Sequence, residues 1–205
     1  TYTFELRDGL MWQDGTAVTA ADCVASIRRW AARNAGGQAI LDRTKDLSAK
    51  DDKTIVLALK EPFGLVLTAL STAATPNCYM MPKKDAETDP FQQVTGRIGS
   101  GPFTFNQQLT RPGSRYVYDK WDKYVPRKDA PSGLSGGKVV HLDRVVWENI
   151  ADEQTALAAL NAGEIDFYEL PPLDLLPSLQ SNPDIKLQVM NTTGNDGEMR
   201  LNCLY

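Results

Sequence analysis

Tyr2, Phe4 and Leu6 alternate with Thr3, Glu5 and Arg7, a period of two that predicts a strand with one buried face. Asp8-Gly9 and Asp14-Gly15 are turn dipeptides, and Met11 and Trp12 between them give the intervening loop something apolar to bury. Thr19 followed three residues later by Asp22 has the spacing of a capping box, with Asp in place of Glu or Gln. Cys23, Ile27, Trp30 and Ala31 then fall on one face of the helix that this box opens. Ala35-Gly36-Gly37 interrupts the pattern, and Gln38 to Leu47 is expected to form a short second helix. Asp51-Asp52 makes a turn, Thr54 to Leu59 reads as a strand ended by Pro62, and Leu65 to Leu70 as a short apolar helix. Between Pro76 and Pro82, the run Cys78-Tyr79-Met80-Met81 is too short for a helix and predicts a strand.

From Asp85 to Gly101 the chain turns polar and glycine-rich with little periodicity, which marks a boundary. Residues 1–95 are therefore expected to form a small α+β unit, a sheet with helices on one side. Pro102 to Asn106 and Ser114 to Asp119 restart as strands, with Phe103 and Phe105, then Tyr116 and Tyr118, in register, and Arg111-Pro112-Gly113 supplies turn chemistry between them. Val139 to Ile150 alternates as a strand and Ala151 to Ala162 as a helix, with Asp152 near its N-terminus and Gly163 where a left-handed residue ends it. Glu164 to Tyr168 is expected to return as a strand, Leu173 to Leu179 as a short helix, and Ile185 to Val189 and Met199 to Leu204 as further strands. The fold class is α+β with an α/β-like character, mixed sheets with flanking helices.

Composition narrows the partners. Lys and Arg number 22 against 26 Asp and Glu, and the basic residues are dispersed rather than gathered on one face, so nucleic acid is not expected as a ligand. No run of about 18 apolar residues occurs, so no membrane-spanning helix is expected. The three cysteines, Cys23, Cys78 and Cys203, match no metal-ligand spacing. Cys23 reads as a buried small hydrophobe on the helix face, while a Cys78–Cys203 bridge stays open.

Candidate chemistry is sparse. His141 is the only histidine, and nothing beside it suggests a base acting on a nucleophile. Asp152 and Glu153 sit where a helix dipole wants negative charge, which accounts for them without a catalytic carboxylate pair. Glu164 and Asp166 share a strand face and could hold a cation, but solvated strand-end charges explain them as well. Gly133 to Lys138 lacks the hydroxyl residue after the lysine that a phosphate-binding loop requires. No enzyme signature, metal site or cofactor is expected.

The order of particular residues says more. Tyr2-Thr3-Phe4-x-Leu6-Arg7-x-Gly9, then Trp12-x-Asp14-Gly15-Thr16, then Val18-Thr19-Ala20-Ala21-Asp22-x-Val24-x-Ser26-Ile27 resembles the signature segment of the family 5 extracellular solute-binding proteins. These are the peptide-, dipeptide- and nickel-binding receptors of ABC importers. Gly99-Ser100-Gly101-Pro102-Phe103 matches the family's return from an inserted subdomain to the large lobe. Asp152-Glu153-x-Thr155-Ala156-x-x-Ala159-Leu160-x-x-Gly163-Glu164-Ile165-Asp166 is similar to a strand-helix-strand of that lobe.

The resemblance implies a fragment of a type II (cluster C) periplasmic-binding-protein lobe. Residues 1–95 would be the inserted subdomain, and 96–205 part of a large lobe incomplete at its C-terminus, with the N-terminus also missing because Thr1 already lies in a strand. It implies an exported, periplasmic receptor, monomeric, with a lipid anchor left open, that encloses a peptide or related small solute between two lobes and delivers it to membrane permease subunits. By position, it assigns Tyr168, Glu169, Thr193, Gly194, Asn195, Asp196, Gly197, Glu198 and Met199 to the ligand cleft. Glu169 and Glu198 would suit a ligand with a cationic group. With one lobe missing, these 205 residues alone are expected to bind solute weakly. An enzyme, a regulator or a signalling or adhesion protein built on the same scaffold is the alternative.

Overall fold

A computed structural model describes residues 1–72, 76–133 and 135–190. Contacts divide the chain into two compact units, Thr1–Trp147 and Glu148–Tyr205.

In the first unit, β1 (Tyr2–Glu5) leads through a tight loop into α1 (Ala20–Ala31). The capping box is formed: the Thr19 hydroxyl accepts from the Asp22 backbone N–H at 3.3 Å, and the Asp22 carboxylate accepts from the Thr19 N–H at 2.8 Å. Next come α2 (Ala35–Asp42), β2 (Thr44–Ala49) and β3 (Thr54–Leu59). The expected helix over Gln38–Leu47 is thus corrected at both ends. Asn34 accepts from the Gly37 N–H at 3.1 Å and starts α2 before the glycines, and Thr44 onwards leaves the helix to pair as a strand. The sheet order is β1-β3-β2, antiparallel throughout, with β3 central: Tyr2 faces Leu57 on one side and Leu47 faces Leu57 on the other. Lys53 and Thr54 donate backbone N–H groups to the Asp51 carboxylate and close the expected turn.

The core lies between the sheet and the helices. Cys23, Ile27, Trp30 and Ala31 of α1 meet Ile40, Leu47, Ile55 and Leu57, and Val66 of α3 (Val66–Leu70) closes the group. The α1 face read from its spacing is the buried one. Burial pushes the Cys23 thiol up to about 11 and the Cys78 thiol up to about 12, the latter helped by the neighbouring Cys23, so both stay protonated at neutral pH as free thiols. Cys203 lies outside the described residues.

Cys78 to Met81 do not form the expected strand, and neither do the two residues before them. They run along α1 on side-chain anchors instead: the Trp30 indole donates to the Pro76 carbonyl at 2.8 Å, and the Met81 N–H donates to the Ser26 hydroxyl at 3.0 Å. The short helix α4 (Lys83–Ala86) then follows, its first N–H bonded to the Asp22 carboxylate at 2.7 Å.

A second sheet has the order β4-β5-β6, from β4 (Phe103–Phe105), β5 (Arg115–Lys120) and β6 (Arg144–Glu148). Phe105 faces Tyr118 across the antiparallel β4–β5 pair, their rings edge to face with centroids 5.6 Å apart. Arg144 donates to Asp119 and ties β6 to β5, and that hydrogen bond, then one from Asn106, holds the Asp119 carboxyl below the usual carboxylate range. Val139 to Leu142 precede β6 outside the strand, and the Asp143 carbonyl accepts the Lys120 N–H at 2.8 Å just before it, so the expected strand is shorter and His141 sits outside it, exposed.

Candidate functional site

The residues that sequence assigns to a cleft begin just beyond α5 (Glu153–Asn161) in the second unit. Asp152 caps this helix, accepting from the Thr155 N–H at 2.7 Å and the Thr155 hydroxyl at 2.6 Å. The Thr155 hydroxyl above all holds the Asp152 carboxyl below its ordinary range. Asp152 is therefore a helix cap. Ala156, Leu157 and Ala159 face inward, and Gly163 ends the helix at φ 70°, the left-handed conformation its sequence position requires.

Downstream, Leu173–Leu175 forms a 3-10 turn that runs into α6 (Leu176–Gln180), whose Leu179 is buried. Asn182 donates to Asn161 at 2.9 Å and ties the end of α6 to the end of α5. Held between these two helices, residues 164–172 form an irregular segment rather than the strand expected over Glu164–Tyr168. Glu164 and Asp166 are exposed and do not share a strand face. Ile185–Val189 is likewise irregular rather than the expected strand.

Within that segment Tyr168 is half-buried and Glu169 exposed. On either side, Phe167 and Leu170 are each 74% exposed and Leu173 is 83% exposed. Residues 167–173 offer apolar and aromatic contact area around one carboxylate, Glu169. Thr193, Gly194, Asn195, Asp196, Gly197, Glu198 and Met199, and the strand expected over Met199–Leu204, lie outside the described residues.

Two cavities lie elsewhere. One of about 500 Å³ is bounded by Ala21, Val24, Leu47 and Ala86 beside α1, and one of about 250 Å³ by Pro102, Trp121, Tyr124 and Val139. Neither includes Tyr168 or Glu169. Among the described residues, no group of three or more His, Cys, Asp or Glu side chains could hold a metal ion, and no helix is long and apolar enough to cross a membrane.

Two residues with structural leverage escape the sequence reading. Asp22 reads only as half of a capping box, and Gln13 does not stand out at all, because a lone amide in a turn carries no pattern. Gln13 donates to the Gly101 carbonyl at 3.2 Å and the Phe103 carbonyl at 2.6 Å, and accepts from the Gly99 N–H at 3.1 Å.

Comparison with known proteins agrees with this architecture. Residues 1–203 match the family described as "Bacterial extracellular solute-binding proteins, family 5 Middle". The chain is 55% identical over 206 residues to a protein of Sinorhizobium fredii named "Probable peptide ABC transporter periplasmic-binding protein", covering 100% of this chain and 38% of that one. The structure of the binding protein AgaA of A. tumefaciens R10 with agropinic acid superposes with a TM-score of 0.64 at 27% identity, over 88% of this chain and 34% of that one. DppA of Helicobacter pylori in complex with the peptide STSA gives a TM-score of 0.66 at 23% identity, over 89% and 37%. The α+β arrangement is thus that of a type II periplasmic-binding-protein lobe, and the chain spans well under half the length of these relatives.

Proposed function

The chain belongs to the family 5 bacterial extracellular solute-binding proteins, and from that premise we propose that it serves as the substrate-binding receptor of an ABC importer, capturing peptides or related small solutes. The observation that carries this reading is the 55% identity, along the whole of this chain, to a relative named for peptide transport. The receptor works in the periplasm as a monomer, encloses its solute between two lobes, and presents the closed form to the permease subunits in the membrane. It binds and releases without covalent chemistry.

In this reading residues 1–95 form an inserted subdomain and 96–205 belong to the large lobe. Tyr168 and Glu169, with Thr193, Gly194, Asn195, Asp196, Gly197, Glu198 and Met199, line the cleft. Support for the first two is the exposed aromatic and apolar surface around them, which has the character of a solute-contacting wall. Glu169 and Glu198 favour a ligand bearing an amino or other cationic group.

Isothermal titration of the full-length receptor against matched basic and acidic short peptides tests the proposal. Basic peptides bind more tightly, and Glu169→Gln narrows the difference. Tighter binding of the acidic set would overturn the assignment of the carboxylates, and turnover of any peptide without a partner enzyme would overturn the receptor reading itself.

A further inference from the structure

The loop between β1 and α1 is fixed from below. Trp12 is 1% exposed, and its indole N–H donates at 3.2 Å to the Asp22 carboxylate, which also takes the N–H groups of Thr19 and Lys83. Across the loop Met11 pairs with Ala17, and the Trp12 N–H bonds to the Thr16 carbonyl at 2.8 Å. The next side chain along, Gln13, faces the segment Gly99–Phe103 through which the chain enters the second sheet.

Every hydrogen-bonding direction that the Gln13 amide uses there is matched. Its NH2 donates to two carbonyls, Gly101 and Phe103, and its oxygen accepts from the Gly99 N–H, while the Gln13 backbone N–H donates to the Gly99 carbonyl at 2.9 Å. The segment presents two acceptors and one donor, a demand that a carboxylate, an ammonium or a guanidinium cannot meet and a primary amide can. The amide oxygen and nitrogen can be placed only one way round, since exchanging them would set oxygen against two carbonyls.

We propose that Gln13 is a positioning residue, a side-chain substitute for a strand rung that locks the entry of the second sheet to the loop carried by the first sheet, so that the two sheets move as one body when solute is enclosed. Only the last clause rests on the receptor reading. Phe103 is the first residue of β4 and pairs with Lys120, so fixing its carbonyl fixes where the second sheet begins.

Hydrogen–deuterium exchange of the full-length receptor, comparing wild type with Gln13→Glu and Gln13→Ala, tests the clamp. At pH 7.5 peptides covering residues 99–105 exchange about three- to tenfold faster in both variants, the range expected for lost hydrogen bonds of ordinary net worth, while β1 and β3 are unchanged. Below about pH 5 the carboxyl introduced by Gln13→Glu takes up a proton and again donates to a carbonyl, so that variant's ratio to wild type falls back towards one. The Ala variant shows no such recovery. Equal exchange in wild type and Ala variant, a pH-independent ratio in the Glu variant, or equal loss of protection across β1 and β3 would each overturn the assignment. Should the Glu variant fail to fold, the Ala variant carries the exchange comparison.

For the enclosure clause, the Ala variant binds a peptide ligand at least about threefold more weakly than wild type, and equal affinity would overturn it. Exchange needs no ligand. A wild-type protein that binds no peptide would therefore sink the receptor reading while leaving the clamp to stand or fall on its own data.

Discussion

At the scale of single residues, Asp22 is the polar centre of the first unit. It is 8% exposed, and its carboxylate accepts from the Thr19 N–H, the Thr19 hydroxyl, the Trp12 indole and the Lys83 N–H at 2.7 to 3.2 Å. Burial works to raise the carboxyl's pKa, but the four donors outweigh it and the net shift is downward. A carboxyl with a depressed folded pKa contributes stability above its unfolded pKa and loses that contribution as pH falls through the folded one. Asp22→Asn, which turns an amide NH2 towards donors, is expected to cost about 2–4 kcal/mol at pH 7, the scale of several buried donors left without an acceptor. In urea titrations the gap between wild type and variant narrows as pH falls below the ordinary carboxylate range, where the unfolded chain's Asp22 takes up a proton first, and is lost as pH falls further through the depressed folded value. A gap of the same size at pH 7 and pH 3 would show that the loss comes from packing rather than from the charge.

At the scale of elements, the contact between α1 and α2 depends on one absent methyl group. Gly37 is buried, and a Cβ placed on it would lie 2.5 Å from Ala31 Cα and 2.8 Å from Ala31 Cβ, atoms of a packed helix that cannot step aside. Gly37→Ala therefore lowers stability by about 1–3 kcal/mol through overpacking. Gly64, where an added Cβ meets nothing within 4 Å and φ is not positive, is the control: Gly64→Ala leaves stability unchanged or raises it by up to about 1 kcal/mol. Thermal denaturation of the pair checks both signs, and equal effects would refute the packing argument. The same glycine shows where sequence is legible and where it is not. The capping box, the buried face of α1, strand β3 and the Gly163 stop can be read because each is a local rule carried by its own residues. Gly36 and Gly37 read as a break, since the need for a small residue there is set by α1, a separate stretch of chain. Segment 78–81 and residues 164–168 look strand-like by composition, but a strand also requires a free neighbouring edge. The first is held by the Ser26 side chain at Met81 just after Trp30 anchors Pro76, and the second follows the cap of α5 into irregular chain.

At the scale of the whole molecule, the described residues of the two units differ in how much apolar surface they bury. The first encloses Trp12, Ile27, Trp30, Ile40, Leu57 and Val66, whereas the buried apolar side chains described in the second are Ala156, Leu157, Ala159 and Leu179. Alanines and leucines at a helix–helix contact supply far less transfer free energy than tryptophans packed with branched aliphatic side chains, at about 25 cal/mol for each Å² removed from water. Local opening should follow that inequality, because amide exchange reports the free energy of the cooperative unit in which an amide resides. The inequality also bears on the candidate site, whose position came from a family resemblance while its surroundings did not: Phe167, Leu170 and Leu173 are exposed in the unit whose described residues bury the fewer apolar side chains. Native-state hydrogen exchange on this 205-residue chain is thus expected to find α5 amides opening at a cost at least about 2 kcal/mol below those of α1 and β3, roughly a thirtyfold difference in rate. Low denaturant accelerates α5 first, and the α1 and β3 amides merge with it only near global unfolding. A single exchange free energy shared by α1, β3 and α5 would mean that the two units unfold as one, and that the modest interior of the second is stabilised by something other than its own apolar side chains.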